Sequence, residues 1–329
     1  MPTEFVPRPR ILRRRPDRPL RGLLAGVLAT ACATGLPGCS SSPPAEHAPI
    51  TWQQRLALGR LEQAEKLLDK GDLEAARRTA EVALTEARQA AYPPSIARAM
   101  ALLAALRGDV LQLQEATAML ERLGDEPGLA RARLMLAELA VSANRPDIAV
   151  PAMQAAVAAL PSNLGGQLDS APTQARVYHL QAAALRQAQR YPEAASAERR
   201  AALALSLLPD KEQLLLRAGV AQGCGDDLYR ILDARGAIAH HAQAANCARL
   251  AGERALELRA LAAMAADFGL DGQWRASADH SERALRLALD LHDTAAAHDA
   301  ANRGLQALRA LHEPDSSVRW QVFEQALDG

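Results

Sequence analysis

Aromatic residues and lysines are scarce in this sequence of 329 residues. It has three phenylalanines, three tryptophans and four tyrosines, and its only lysines are Lys66, Lys70 and Lys211. Aromatic and β-branched residues populate strands, whereas the alanine and leucine that dominate the apolar half of this chain favour helix. The shortage argues against an all-β or a doubly wound α/β fold and indicates an all-α protein.

The formal net charge of the chain is zero, because 38 basic residues balance 38 acidic ones. Nearly half of the residues are apolar, which is too many for an intrinsically disordered chain. Seven arginines and two acidic residues, Glu4 and Asp17, precede Cys39, so the chain from Cys39 onwards carries 31 basic and 36 acidic residues. A mildly acidic protein of this kind has no electrostatic basis for binding nucleic acid.

Residues 1–38 differ from the rest of the chain. After the arginines comes an uncharged apolar run of 15 residues from Gly22 to Leu36. That length is too short to span a bilayer comfortably but fits the core of a signal peptide. The run ends at Leu36-Pro37-Gly38-Cys39, and serines and prolines follow. With an aliphatic residue three positions before the cysteine and a small polar tether after it, this segment resembles a bacterial lipoprotein signal.

The resemblance implies that the Cys39 thiol is lipidated, that residues 1–38 are removed and that residues 39–50 form a flexible tether. Pro37 departs from the small residue usual at its position. Cys32 is therefore an alternative lipidation site, and an unlipidated signal or anchor is another. Since Ser40 is not the aspartate that retains such proteins in the inner membrane, the resemblance favours the outer membrane of a Gram-negative bacterium, facing the periplasm.

Beyond the tether, apolar residues recur at helical spacing between short turns. The first unit, from Leu58 to Leu84, predicts a helix ending near Lys70, a Gly71-Asp72 turn and a second helix from Leu73. Its small residues would let two antiparallel helices approach closely. Three such small positions occur in each of four units, and two in each of two weaker units: Ala64, Ala76 and Ala83; Ala137, Ala149 and Ala156; Ala182, Ala194 and Ala201; Ala265, Ser277 and Ala284; and, more weakly, Ala104 and Ala116, and Cys224 and Gly236.

This spacing resembles the tetratricopeptide repeat family, whose helix-turn-helix units carry small residues at these offsets. The resemblance implies an all-α fold, a right-handed α-solenoid of about six to seven repeats over residues 51–329. A final helix pair, from Thr294 to Leu311 and from Ser316 to Leu327, would cap it. Because any alanine-rich helical hairpin matches part of the pattern, a different α-solenoid is the alternative.

Motifs of catalysis and metal binding are missing from the sequence. It has no glycine-rich phosphate loop, nucleophile elbow or His-Glu metalloprotease helix. We therefore expect a protein that is not an enzyme and that uses no cofactor. His240 and His241 are adjacent on a predicted helix and point about 100° apart, so they cannot both bind one metal ion. Cys224 and Cys247 would either form a disulfide in an oxidising compartment or serve as small buried apolar residues.

Four arginines share one register, early in the first helix of four units: Arg98, Arg131, Arg176 and Arg259. The first unit has Leu58 at this place, and the fifth misses it by one residue, at Arg217. In the family that the chain resembles, first helices line a concave groove where basic side chains hold the carboxylates of a bound peptide. These arginines are therefore candidates for a peptide-binding groove, and a row of solvated arginines is the alternative.

The combined expectation is a lipid-anchored periplasmic protein that serves as a scaffold or assembly factor for an envelope complex. Its partners would be other envelope proteins or peptide segments, and it would touch the membrane only through its lipid. The alternative is a receptor, or the accessory subunit of an enzyme, that holds a peptide or glycan in the concave groove.

Lipidation can be tested directly in cells fed an alkyne-labelled fatty acid. Cys39→Ser should abolish labelling of the protein and leave uncleaved precursor, because the thiol that accepts the lipid is gone. Cys32→Ser is the matched control and should be labelled like the wild type. Full labelling of the Cys39→Ser protein would assign the anchor elsewhere.

Overall fold

The structure is a computed structural model that describes residues 50–158, 171–312 and 317–328. The expected signal, Cys32 and Cys39 lie outside these residues. Within the described ranges the chain forms fourteen helices and no strand. In chain order they are α1 (Trp52–Asp69), α2 (Leu73–Gln89), α3 (Pro93–Arg107), α4 (Val110–Leu123), α5 (Glu126–Ser142), α6 (Pro146–Ala158), α7 (Ala171–Gln187), α8 (Tyr191–Leu205), α9 (Leu214–Arg230), α10 (Ala234–Ala251), α11 (Arg254–Leu270), α12 (Trp274–Asp290), α13 (Thr294–Ala310) and α14 (Val318–Asp328).

The helices pack as seven successive hairpins, each against the next. Each odd-numbered helix up to α11 also contacts the following odd-numbered helix, whereas successive even-numbered helices in the described chain are not packed so closely. The odd-numbered helices are therefore the inner layer of a curved stack, and we call their solvent-facing side the inner face. The predicted α-solenoid is confirmed, with seven helix pairs. None of the described helices is long and apolar enough to cross a membrane.

Aspartates begin several of the helices. In each case the carboxylate accepts a hydrogen bond from the backbone N–H of the third helical residue, which satisfies a donor that the helix leaves free. The residues that do so are Asp72, Asp109, Asp125, Asp233 and Asp293. The predicted Gly71-Asp72 turn is present, with Gly71 at φ +79°, a conformation that glycine adopts without steric cost.

The small residues predicted to form the helix contacts are buried. Every one in the four clear units is at most 5% exposed, as are Ala104 and Ala116. The final pair is also present, as α13 and α14. These small residues therefore set how closely the helices approach, as the spacing predicts.

In the two weaker units Ala104 lies at the common position, but the register was wrong at Ala116, Cys224 and Gly236. The common position in the even-numbered helices is the fourth residue, which is Leu113 in α4 and Ala237 in α10, in place of Ala116 and Gly236. Among the odd-numbered helices the fifth unit has Gly225 at the position assigned to Cys224. Glycine occupies this position for a steric reason. A Cβ atom on residue 225 would lie 2.5 Å from the His241 ring, so only glycine fits there.

The apolar core is not uniform along the array. One cluster of buried apolar residues runs without a break from α1 to α8, and another joins α11 to α14. Around α9 and α10 the buried apolar residues fall into several small groups. Fully buried charged side chains lie in this middle region: Glu198, Asp227, His241 and Asp267. The middle of the solenoid is thus held together partly by polar contacts.

Packing at the C-terminal hairpin gives a stability prediction. A Cβ atom on Gly304 of α13 would lie 2.3 Å from the ring of Phe323, which is completely buried. Gly304→Ala should therefore overpack this contact and lower the free energy of unfolding by about 1–3 kcal/mol. Urea denaturation followed by circular dichroism measures the change.

Gly59→Ala is the matched control for this substitution. Gly59 lies in α1 with nothing within 4 Å of its added Cβ atom. Alanine is the better helix former, so the control should raise the free energy of unfolding by about 0.5–1 kcal/mol. Equal effects of the two substitutions would contradict the packing described for α13 and α14.

Candidate functional site

The four arginines lie at the same position of their helices. Arg98, Arg131, Arg176 and Arg259 are the sixth residues of α3, α5, α7 and α11. All four therefore lie on helices of the inner layer, in the register that the sequence indicates. Their surroundings nevertheless differ from one end of the array to the other.

Arg98 and Arg131 are engaged within the protein. The Arg98 guanidinium donates through Nε and Nη2 to both carboxylate oxygens of Asp125, the residue that caps α5. Arg131 is buried, and its Nη1 lies 3.0 Å from Glu65 Oε2 on α1. These ion pairs connect α1, α3 and α5 across the inner layer, so both arginines have a structural role. Sequence reasoning missed Asp125 and Glu65, because residues so far apart in the chain leave no periodic signal.

Arg259 and Arg176 are more accessible. The Arg259 side chain is 61% exposed, and within the described ranges it forms one ion pair, with Asp226 of α9, at 3.3 Å between Nη2 and Oδ2. Arg176 on α7 is half-buried. An exposed pair of this length contributes little to stability, so Arg259 can exchange its partner for another carboxylate.

Arg217 departs from the register because it serves another purpose. Its Nη2 donates to the backbone carbonyl of Leu205, the last residue of α8, and to that of Leu208 just after the helix, and its Nε donates to the carbonyl of Glu212. Carbonyl groups at a helix C-terminus lack partners within the helix. Arg217 therefore caps α8, which is consistent with its place outside the arginine register.

The most concentrated group of buried charges lies on α9, in the segment Gly223-Cys224-Gly225-Asp226-Asp227. Asp227 is completely buried and accepts two hydrogen bonds from Arg186 of α7, at 2.7 Å from Nε and 2.9 Å from Nη2. The same Arg186 Nη2 donates to Glu198 of α8 at 3.0 Å. His179 Nδ1 lies 2.8 Å from the second oxygen of Glu198. We call these four residues, Arg186, Asp227, Glu198 and His179, the Asp227 cluster.

Asp226 points about 100° away from Asp227 around the helix axis, as adjacent residues on a helix do. Its Oδ1 accepts from Gln222 Nε2 at 2.9 Å and lies 3.2 Å from His241 Nε2 of α10. The other ring nitrogen of His241, Nδ1, lies 2.6 Å from Asp267 Oδ2 of α11. Together with Arg259 these residues form what we call the Asp226 cluster. The two clusters join five consecutive helices, α7 to α11, through α9.

Two glycines make room for these contacts. A Cβ atom on Gly223 would lie 2.2 Å from Glu198 Oε1, and one on Gly225 would meet the His241 ring. Glycine is unfavourable inside a helix, so its presence twice within three residues of α9 is explained by the polar side chains packed against the backbone.

Charge on His241 is stabilised by its neighbours. Burial opposes the charged ring, but the hydrogen bonds and negative charges of Asp226 and Asp267 outweigh it and raise the pKa of His241 to about 9,. His241 is therefore an imidazolium at neutral pH, and its single positive charge offsets one of the two carboxylate charges, while Arg259 adds a second cation beside Asp226. Both ring nitrogens are engaged, so His241 offers no lone pair to a metal ion.

Metal and disulfide chemistry find no support in the described residues. No group of three histidine, cysteine or acidic side chains there is placed to hold a metal ion. Cys224 and Cys247 are free, buried thiols in separate apolar groups. The disulfide alternative is absent from this structure, because the two residues are offset by about 10 Å along the antiparallel pair of α9 and α10. Burial raises the pKa of Cys224 to about 12, which makes the thiol unreactive.

Comparison with known proteins shows the fold. The chain is similar to the crystal structure of the apo form of RapI, with a TM-score of 0.61, covering 83% of this chain and 77% of that chain at 10% sequence identity. RapI is also a helical repeat protein. No protein-family model and no curated protein matches the sequence. The class of this protein is thus a helical repeat solenoid, and the similarity extends to fold alone.

Removal of Arg186 tests whether the Asp227 cluster supports the fold. Arg186→Met should lower the free energy of unfolding by about 3–5 kcal/mol, because it leaves two buried carboxylates without their cation. The matched control is Arg190→Met, at the start of α8, where the guanidinium forms a similar two-point pair with the exposed Glu193. This control should leave stability unchanged in urea denaturation. A small effect at Arg186 would show that the cluster does not hold α7, α8 and α9 together.

The raised pKa of His241 predicts that the folded protein becomes less stable at alkaline pH. The pKa of His241 is about 9 in the folded protein and 6.5 in the unfolded chain. Charged His241 therefore contributes its full stabilisation below pH 6.5, and this stabilisation is lost as the pH rises to about 9,. The free energy of unfolding should fall by about 3 kcal/mol across this window. His241→Gln should remove the slope between pH 6.5 and 9, whatever its effect on absolute stability.

His240→Gln is the control for the pH series. Burial lowers the pKa of His240, so this side chain titrates below pH 6.5 and cannot contribute to the alkaline slope. The His240→Gln protein should therefore show the wild-type slope. A slope that survives in the His241→Gln protein would place its origin in another group.

Proposed function

We propose that this protein is a non-catalytic binding solenoid that holds an acidic peptide segment of a partner protein on its inner face. The observation that carries this proposal is the common register of the four arginines, of which Arg176 and Arg259 retain exposed surface. A guanidinium binds carboxylates with two parallel hydrogen bonds. A neutral glycan presents no such group, so the arginines favour an acidic peptide.

Helix spacing sets the size of this segment. Neighbouring packed helices have axes about 10 Å apart, and α7 and α11 are two steps apart in the inner layer. The two accessible arginines are therefore separated by about 20 Å, the length of about six residues in extended conformation. The proposed ligand carries acidic side chains at least that far apart.

We also propose that the protein works at the outer membrane, anchored by lipid on Cys39, as a scaffold or assembly factor for an envelope complex. The support for this location is the resemblance of residues 1–38 to a lipoprotein signal. The inner face and the anchor are independent parts of the proposal, because one concerns what is bound and the other where.

Binding of a fluorescent octaglutamate peptide tests the function. Replacing Arg176 and Arg259 together by alanine should weaken binding at least tenfold and reduce its dependence on salt, since the attraction that they supply is screened by ions. The matched control replaces Arg78 and Arg275, which are exposed on even-numbered helices, and should bind as the wild type does. Wild-type affinity in the Arg176 and Arg259 double variant would contradict the proposal.

A further inference from the structure

We infer that Asp226 is an internal competitor for Arg259 and thereby limits how strongly the inner face binds an acidic ligand. This inference rests on the proposed function, since it concerns the same surface. It adds a residue that the arginine pattern does not reveal, with a role opposite to that of the arginines.

Arg259 is held only weakly by Asp226. Its contact with Asp226 is a single one of 3.3 Å, and both side chains are partly open to solvent, at 61% for Arg259 and 32% for Asp226. Arg98, by contrast, is held by both oxygens of a capping aspartate. The Arg259 pair is thus the weaker one, and a ligand carboxylate can replace Asp226 there.

Asp226 retains other partners when the Arg259 side chain turns to a ligand. Its Oδ1 already accepts from Gln222 at 2.9 Å and lies 3.2 Å from the His241 ring. Asp226 therefore keeps two partners after Arg259 turns to a ligand, and its burial is still compensated. Release of Arg259 costs little for this reason, while the negative charge of Asp226 remains in place beside the ligand.

Two consequences for binding follow from this geometry. A ligand carboxylate on Arg259 displaces Asp226 and then lies within a few ångströms of its charge, where repulsion between like charges is appreciable. Neutralising Asp226 should strengthen binding. Removing a partner of Asp226 should instead make it hold Arg259 more firmly and weaken binding.

The experiment measures octaglutamate binding to the full-length protein in low salt. Asp226→Asn should bind the peptide about fivefold more tightly than the wild type, and the gain should vanish when Arg259→Ala is added. Gln222→Ala should bind it about twofold more weakly. Because the two substitutions have opposite expected effects, a folding defect in one of them does not remove the test.

Asp290→Asn is the matched control. Asp290 of α12 pairs with Arg254, an exposed arginine at the start of α11, at 2.7 Å, so the control makes the same change of charge beside another arginine of α11. It should leave the affinity for octaglutamate unchanged. An equal gain in the Asp290→Asn protein would attribute the effect to net charge and overturn the inference.

Failure of the inference and failure of the proposed function give different results. If the wild type binds octaglutamate through Arg259 but Asp226→Asn gives no gain, the inference is overturned and the function stands. If neither the wild type nor Asp226→Asn binds the peptide, both are overturned. Binding that appears only in the Asp226→Asn protein would support the inference most strongly.

Discussion

Two adjacent aspartates on one helix constrain the middle of this solenoid. Asp226 and Asp227 lie about 100° apart on α9. Asp227 is completely buried and Asp226 is partly buried, so each carboxylate is stabilised by a cation beside it. Asp227 obtains it from Arg186 of α7, and Asp226 from His241 of α10. Helix α9 is therefore fixed by ion pairs on both sides, at the place where the apolar core is divided into small groups.

The same principle of charge pairing divides the inner face into two parts. Near α1 to α5, Arg98 and Arg131 form ion pairs within the protein and so contribute to the fold. Towards α11, Arg259 has only a weak partner, and that partner belongs to the cluster on α9. Asp226 thus connects stability with the proposed ligand binding, because it compensates the buried cation His241 and also pairs with the exposed Arg259.

Much of the fold could be predicted from sequence, because a helical hairpin leaves local signals: small residues at fixed spacing, Gly-Asp turns and capping aspartates. The partners of the arginines could not, since Glu65 lies 66 residues before Arg131 and such a pair has no period. The register failed at α9 for a related reason, because its glycines fit polar side chains from other helices. Two glycines beside two aspartates inside a helix conflict with local helix preference, and that conflict is the signal that marks the site.

The central claim is that buried ion pairs are needed, beside apolar packing, to hold α9 in the array. Hydrogen exchange of the native protein, followed by mass spectrometry, tests it most directly because it reports the opening of each helix separately. The account predicts that backbone amides of α9 are protected as strongly as those of α7 and α11, in spite of the glycines. Exchange in α9 well ahead of both neighbours would contradict it.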